Sequence, residues 1–204
     1  MYCGIDEAGR GPLIGPLVMA AVLACDADIP AGVRDSKLLS KARREELYEQ
    51  LLLLPHVIHI VSAQEVDEAV FQNDLNWLEA RHTAQIINKL APKRAVLDCP
   101  SRNIPVYQSF VAQRCPGVEV HAQFKADVDF PVVAAASILA KVVRDRVIDD
   151  LQKQAGFDFG SGYLTDPKTQ EFLTHHFDKY FIGFRKSWKP YNKRVAQDEQ
   201  NTLF

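Results

Sequence analysis

The sequence lacks paired cysteines and long apolar runs, and each absence excludes a class of protein. Its four cysteines, Cys3, Cys25, Cys99 and Cys115, stand far apart and form no CxxC pair, so their spacing predicts neither a zinc site nor a disulfide framework. No apolar run reaches the roughly 20 residues needed to span a bilayer, and no signal-peptide pattern opens the chain. We therefore expect a cytoplasmic protein that does not enter a membrane.

An excess of charge of one sign is also absent. The chain carries 24 Lys plus Arg against 26 Asp plus Glu, a net charge of -2. This balance gives no global electrostatic signal for a polyanionic partner, so any surface that binds nucleic acid must be local. The 204 residues, 47% of them hydrophobic, suffice for one substantial core. We expect a monomer with a single domain over residues 1–195 and a flexible tail over residues 196–204.

Apolar, β-prone segments alternate with helical patterns along the chain. Strands are predicted over residues 2–5, 17–24, 57–61, 95–97 and 118–124. Helices are predicted over residues 40–53, after a capping box of Ser62 and Glu65, over residues 75–90 and 132–154, and from Asp166–Pro167 to residue 179. This alternation predicts an α/β or α+β fold whose sheet is covered by helices.

Acidic residues stand at the ends of several of these apolar segments. Asp6 and Glu7 follow the first strand, Asp98 follows the segment 95–97, and Asp127 precedes the longest helix. On adjacent strands Asp6 and Asp98 would lie side by side, and cations would relieve their repulsion. Such a cluster favours hard divalent ions, which can assist phosphodiester hydrolysis by water. The alternative is that these acids are turn residues or helix caps.

Five motifs resemble the ribonuclease HII family, and they follow the family's order over most of the chain. They are GIDEAGRGPLIGP at 4–16, DSK at 35–37, KAD at 125–127, PVVAAASILAKVVRD at 131–145, and FGSGY with DPKT at 159–169. The resemblance implies a ribonuclease H-like fold, with a central mixed sheet flanked by helices and a small C-terminal helical extension. It also implies an Mg²⁺- or Mn²⁺-dependent endonuclease that hydrolyses the RNA strand of RNA–DNA hybrids. In duplex DNA it would cut on the 5′ side of single ribonucleotides, leaving a 3′-hydroxyl and a 5′-phosphate.

The resemblance assigns roles to the acids. Asp6 and Glu7 come with GIDE, Asp127 with KAD, and Asp98 by its place at a strand end between DSK and KAD. By similarity these four residues are the catalytic carboxylates that bind the metal. A binding protein of the same fold that does not cut would need a broken carboxylate set, and none of the four is missing.

Substrate-binding positions follow from the same resemblance. The loop Gly9, Arg10 and Gly11 would contact the ribose 2′-hydroxyl through its backbone, because glycines allow close approach and this hydroxyl separates RNA from DNA. A tight turn explains the glycines equally well, but not Arg10, which can hold a phosphate. Tyr163 would pack against the neighbouring sugar, and Lys37 would contact a phosphate or be a solvated lysine. Where the family has proline after the tyrosine, this chain has Leu164.

A basic segment near the C-terminus is the candidate nucleic-acid surface. It contains Arg185, Lys186, Lys189, Lys193 and Arg194 with Trp188 and Tyr191 among them and no acid. A solvated helix end is the alternative. This segment and the glycine loop argue against a third class, a phosphatase or nucleotide hydrolase acting on small molecules. Asp145, flanked by Arg144 and Arg146, is interpreted as an ion-paired structural acid rather than a ligand.

The last five residues suggest a protein partner. Gln200 to Phe204, QNTLF, resemble the peptide that docks on sliding clamps, and we expect them to tether the enzyme there. A polar terminus with two chance apolar residues is the alternative.

Overall fold

The computed structural model describes residues 1–33, 39–177 and 181–202, without the side chains at 199, 201 and 202. The strands are β1 (Tyr2–Ala8), β2 (Leu17–Ala24), β3 (His56–Val61), β4 (Arg94–Asp98) and β5 (Glu119–Gln123). The helices are α1 (Lys41–Leu51), α2 (Ala63–Phe71), α3 (Leu75–Leu90), α4 (Ile104–Ala112), α5 (Ala126–Asp129), α6 (Pro131–Ala155), α7 (Pro167–His175) and α8 (Lys189–Thr202). Lys37 and the rest of the DSK motif lie outside the described residues.

Within these described residues the strands form a five-stranded sheet in the order β3-β2-β1-β4-β5. Strand β1 is antiparallel to β2 and parallel to β4, and β4 is parallel to β5. The predicted mixed sheet with helical cover is therefore confirmed. Parallel pairing turns the carboxyl ends of β1, β4 and β5 to one edge, where side chains of different strands can meet.

The chain forms two compact units. The first comprises Met1–Ala8, Val18–Ile60 and Asp74–Val143, and the second comprises Gly9–Leu17, Val61–Asn73 and Arg144–Phe204. The core of the first packs β2 and α1 against apolar residues of α6. The core of the second is aromatic and includes Phe159, Phe172 and Phe184. A single domain ending at residue 195 stays a prediction, and α8 passes through that boundary.

Two helices differ from the sequence prediction. Helix α4 was not indicated by the pattern; Asn103 caps it, and Pro105 lies in its first turn, where a missing amide costs nothing. Helix α7 ends at His175 rather than at residue 179. The backbone N–H of His176, which caps the helix, donates to the carbonyl of Phe172. The capping box predicted at Ser62 and Glu65 and the cap predicted at Asp166 are both present.

None of the helices in the described part of the chain is long and apolar enough to cross a membrane.

Candidate active site

Asp6 lies near the carboxyl end of β1 with only 6% of its surface exposed. Its Oδ1 accepts the backbone N–H of Glu7 at 2.6 Å, and it is hydrogen-bonded to the hydroxyl of Ser137 on α6. Two donors from different elements thus fix the orientation of a carboxylate that has little access to water.

Helix α6 approaches β1 closely because Gly4 has no side chain. A Cβ at Gly4 would stand 2.5 Å from backbone atoms of Val132 and Val133, closer than atoms can pack. The glycine therefore allows the first turn of α6 to rest on the strand. This approach brings Ser137, one and a half turns along the helix, to Asp6.

Asp98 stands next to Asp6 across the parallel pair β1 and β4. The pairing places Ile5 opposite Leu97, so the following residues of the two strands are the two acids. Oδ1 of Asp98 accepts the backbone N–H of Ala126 at 3.0 Å. The adjacency that the sequence predicted for these acids is confirmed.

Asp127 is brought to the same place by an unusual backbone turn. Lys125 has φ 56° and ψ 40°, a left-handed conformation that non-glycine residues rarely adopt, and it begins the short helix α5. Asp127 follows in the first turn and is 6% exposed. The turn at Lys125 therefore delivers the Ala126 amide to Asp98 and buries the carboxylate of Asp127 beside them.

Burial and mutual repulsion dominate the electrostatics of these acids. Burial raises the pKa of Asp6 from 3.8 to about 8, and the charges of Asp98 and Asp127 act in the same direction. The hydrogen bonds from Ser137 and Glu7 oppose this rise. Asp6 is consequently a site where a proton or another cation is bound at neutral pH.

Glu7 is half-buried beside α4 and the end of β4. Burial, followed by the charge of Glu7, raises the pKa of Tyr107 on α4. Burial raises the pKa of the Cys99 thiol as well, with smaller contributions from Asp98 and Glu7. Glu7 and Asp98 therefore both lie near Cys99.

The donor set fits a hard divalent cation in its chemistry. All four acids supply carboxylate oxygens, which Mg²⁺ and Mn²⁺ prefer. Among the described His, Cys, Asp and Glu side chains no three already stand as a metal-binding group. A cation would draw the oxygens together against the repulsion that raises the pKa of Asp6.

The glycine loop belongs to the second unit, and its two glycines differ. Gly9 has φ +86°, and a Cβ there would stand 2.5 Å from the Arg144 side chain and from the carbonyl of Pro16. A Cβ at Gly11 would meet nothing within 4 Å, and Gly11 is exposed. The fold therefore requires a glycine at position 9 but not at position 11.

Tyr163 is linked to this loop within the second unit. The guanidinium of Arg144 lies 4.9 Å from the centroid of the Tyr163 ring. The preceding residue, Gly162, accepts the backbone N–H of Leu13 at 2.8 Å. The structure thus brings two predicted substrate-binding segments together.

Leu164, which replaces the family's proline, has a packing role. Its side chain lies against the aromatic core of the second unit, and its carbonyl accepts the side-chain amide of Gln170 at 2.6 Å. The loop is therefore held by burial and a hydrogen bond where a proline would have restricted it.

The basic segment is smaller than predicted as a nucleic-acid surface. Arg185 is fully buried, and its guanidinium donates to the carbonyls of Gly9, Arg10 and Gly15. Tyr191 belongs to the aromatic core. Arg185 and Tyr191 were therefore wrongly assigned to a solvent-facing surface, whereas Lys186, Lys189 and Lys193 are exposed.

Arg144, one of the two arginines that flank Asp145, is buried in the second unit. Its side chain is 1% exposed and donates to the carbonyls of Ile14 at 3.3 Å and Ser161 at 2.9 Å. Burial lowers its pKa, and Asp145 opposes this electrostatically. The arginine thus binds backbone oxygens of two loops.

Sequence reasoning missed Ser137 and Asp67, and it did not foresee that Arg144 and Arg185 bind backbone carbonyls. Ser137 is the polar residue inside an otherwise apolar stretch of α6, and that contrast was a usable signal. Asp67 is a buried acid on α2 whose carboxylate binds backbone amides of Lys186 and Ser187. Nothing in its local sequence distinguishes it from a surface acid.

The raised pKa of Asp6 predicts how stability changes with pH. The folded state binds this proton more tightly than the unfolded state, so stability falls as pH rises from about 4 to about 8, by up to about 1.4 kcal/mol per pH unit. Asp6→Asn removes this contribution. Urea unfolding at several pH values, with a chelator, should show a steeper loss for the wild type than for Asp6→Asn. Added Mg²⁺ should reduce the difference, and equal slopes without metal would contradict the assignment.

Comparison with known proteins identifies the family and agrees with the fold. The family model described as Ribonuclease HII matches residues 3–191. The ribonuclease HII of Picrophilus torridus is 42% identical over 196 residues, which cover 95% of this chain and 96% of that protein. The ribonuclease HII of Archaeoglobus fulgidus is 44% identical over 176 residues, 85% of each chain.

Solved structures are similar along nearly the whole chain. The ribonuclease H2 of Pyrococcus horikoshii superposes with a TM-score of 0.87 at 34% identity, covering 98% of this chain and 99% of that one. Ribonuclease HII of Archaeoglobus fulgidus, solved in complex with PCNA, gives 0.83 at 39% identity, covering 91% and 93%. With this agreement in sequence and fold, the chain belongs to the ribonuclease HII family and is a metal-dependent endoribonuclease of ribonuclease H-like fold.

Proposed function

We propose that the enzyme hydrolyses the RNA strand of RNA–DNA hybrids and cuts on the 5′ side of single ribonucleotides in duplex DNA. The products would be a 3′-hydroxyl and a 5′-phosphate. The observation that carries the proposal is the buried carboxylate group at the ends of β1 and β4, where Asp6 is held among other acids. Such a group is suited to cation-assisted phosphodiester hydrolysis.

Asp6, Glu7, Asp98 and Asp127 would hold Mg²⁺ or Mn²⁺. A pair of such ions, when bound, supplies an activated water and stabilises the leaving 3′-oxygen. The chain's own residues orient the oxygens that bind them. Ser137 and the Glu7 amide hold Asp6, and the Ala126 amide holds Asp98.

Selection for RNA would fall to the loop of Gly9, Arg10 and Gly11 and to Tyr163. Because the fold does not require a glycine at position 11, its missing side chain is explained by the close approach of a sugar. Arg10 and Lys37 would contact phosphates, which position the duplex without selecting RNA.

Cleavage of a labelled DNA duplex with one ribonucleotide tests the function. In Mg²⁺ or Mn²⁺ the wild type should make one cut on the 5′ side of that nucleotide. Asp98→Asn should lower the rate by about a hundredfold or more, because it removes a charged metal ligand. Asp150→Asn is the matched control, since Asp150 is an exposed acid of α6 paired with Lys153, and it should cut normally. Tight binding without cutting by the wild type would instead indicate a hybrid-binding protein.

Alanine substitutions separate the two glycines. Gly11→Ala should leave stability within about 0.5 kcal/mol of the wild type but lower cleavage at a single ribonucleotide by about tenfold, since a methyl group would keep the sugar away. Gly9→Ala should lose about 1–3 kcal/mol of stability because of its positive φ and the contact with Arg144. Denaturant midpoints and single-turnover rates give both quantities. Full activity of Gly11→Ala would exclude close approach at this position.

The C-terminal segment is proposed to bind a sliding clamp. The Archaeoglobus fulgidus relative was solved in complex with PCNA, and this chain ends in QNTLF. Helix α8 extends to Thr202, while Leu203 and Phe204 lie outside the described residues. An apolar pair after a helix suits insertion into a pocket on a partner.

Binding to the PCNA of Archaeoglobus fulgidus tests this segment. The double substitution Leu203→Ala and Phe204→Ala should abolish binding measured by calorimetry, because both apolar anchors are lost. Asn201→Ala with Thr202→Ala is the matched control and should bind. Both variants should cleave free duplex at the wild-type rate. Undiminished binding by the first variant would remove the proposal.

A further inference from the structure

The segment that contains Arg185 and Trp188 gathers the carbonyl oxygens of the glycine loop. Arg185 donates from Nη1 to Arg10 at 2.7 Å and from Nη2 to Gly9. The indole N–H of Trp188 donates to the carbonyl of Gly11 at 3.3 Å. Three successive carbonyls of the loop are therefore turned toward this pair, which we call the carbonyl cradle.

The orientation of these carbonyls determines where the loop amides point. A trans peptide unit is planar, and its N–H points opposite to its C=O. The described residues contain no cis peptide bond. The N–H groups of Arg10 and Gly11 are thus directed away from the buried guanidinium, and the third unit ends in Pro12, which has no N–H.

The loop is open at Gly11. Gly11 is exposed, and no atom lies within 4 Å of the position where its Cβ would be. A backbone amide donor at an exposed glycine can bind an oxygen of a ligand, as backbone donors do in anion and hydroxyl sites.

The cradle is itself held in a fixed position. The backbone N–H of Arg185 donates to Leu13 at 2.9 Å, and its Nε donates to Gly15 at 3.0 Å. The carboxylate of Asp67 accepts the backbone amides of Lys186 and Ser187 at 2.7 and 2.8 Å. The five donors of a planar guanidinium are spread over three nitrogen atoms, so they can bind three separate carbonyls at once. The three donors of a lysine ammonium all lie on one nitrogen.

We propose that Arg185, assisted by Trp188, is a positioning residue that sets selection for ribonucleotides by aiming the amide of Gly11 at the 2′-hydroxyl. This inference rests on the proposed function of the loop. It assigns selectivity to two side chains that do not touch the substrate. Their loss should therefore reduce discrimination between RNA and DNA more than it reduces binding in general.

Binding selectivity is the direct test. In the Asp98→Asn background, which slows cutting, the affinity for a duplex with one ribonucleotide is compared with that for the same all-DNA duplex. Arg185→Lys keeps the charge but cannot hold three carbonyls, and should lower the ratio of the two affinities by about tenfold. Lys189→Gln, an exposed lysine of the same segment, should weaken both duplexes alike and leave the ratio unchanged.

A second variant decides the matter if Arg185→Lys does not fold. Trp188→Phe keeps the ring and removes only the N–H donor to Gly11, and should lower the ratio by about threefold. An unchanged ratio in a folded Arg185→Lys, or in Trp188→Phe if that variant alone folds, overturns the inference. If Asp98→Asn without a further substitution does not prefer the ribonucleotide duplex, the proposed function of the loop itself is contradicted.

Discussion

Burial of Asp6 among other carboxylates is the constraint on which the candidate active site depends. Parallel pairing of β1 and β4 sets Asp6 beside Asp98, and the turn at Lys125 adds Asp127. Backbone and hydroxyl donors orient Asp6 and Asp98, and Asp127 is 6% exposed. A divalent cation bound here would relieve this unfavourable placement of Asp6, so metal binding would be coupled to the protonation of these side chains.

In the second unit the main constraint is the burial of two arginine side chains. Arg144 and Arg185 are at most 1% exposed, and an isolated buried charge is costly unless it is hydrogen-bonded. The carbonyls of Ile14 and Ser161 bind the guanidinium of Arg144, and those of Gly9, Arg10 and Gly15 bind the guanidinium of Arg185. These contacts fix the backbone positions of the loops, as contact with a sugar would require. A loop without regular secondary structure is held in one position by side-chain contacts.

Strand-end acids could be predicted from the sequence because an apolar strand followed by an acid is a local pattern. Pairing of neighbouring strands then brings such acids together. The mixed sheet, the cap at Ser40 and the position of α6 were also local patterns. Arg185 and Tyr191 could not be placed, because a basic and aromatic segment has the same composition whether it faces solvent or packs around carbonyls. Asp67 binds amides 119 and 120 residues away, and no local pattern shows such a pairing. The difference between Gly9 and Gly11 likewise has no local pattern, because it depends on which atoms surround each glycine in the fold.

The central claim is that Asp6, Glu7, Asp98 and Asp127 bind the catalytic cations. Anomalous diffraction from crystals grown with Mn²⁺ tests it most directly. The account predicts manganese peaks within about 2.5 Å of carboxylate oxygens of these residues, and their loss from crystals of Asp6→Asn. Peaks only elsewhere in the molecule, or peaks that remain unchanged in that variant, would contradict it.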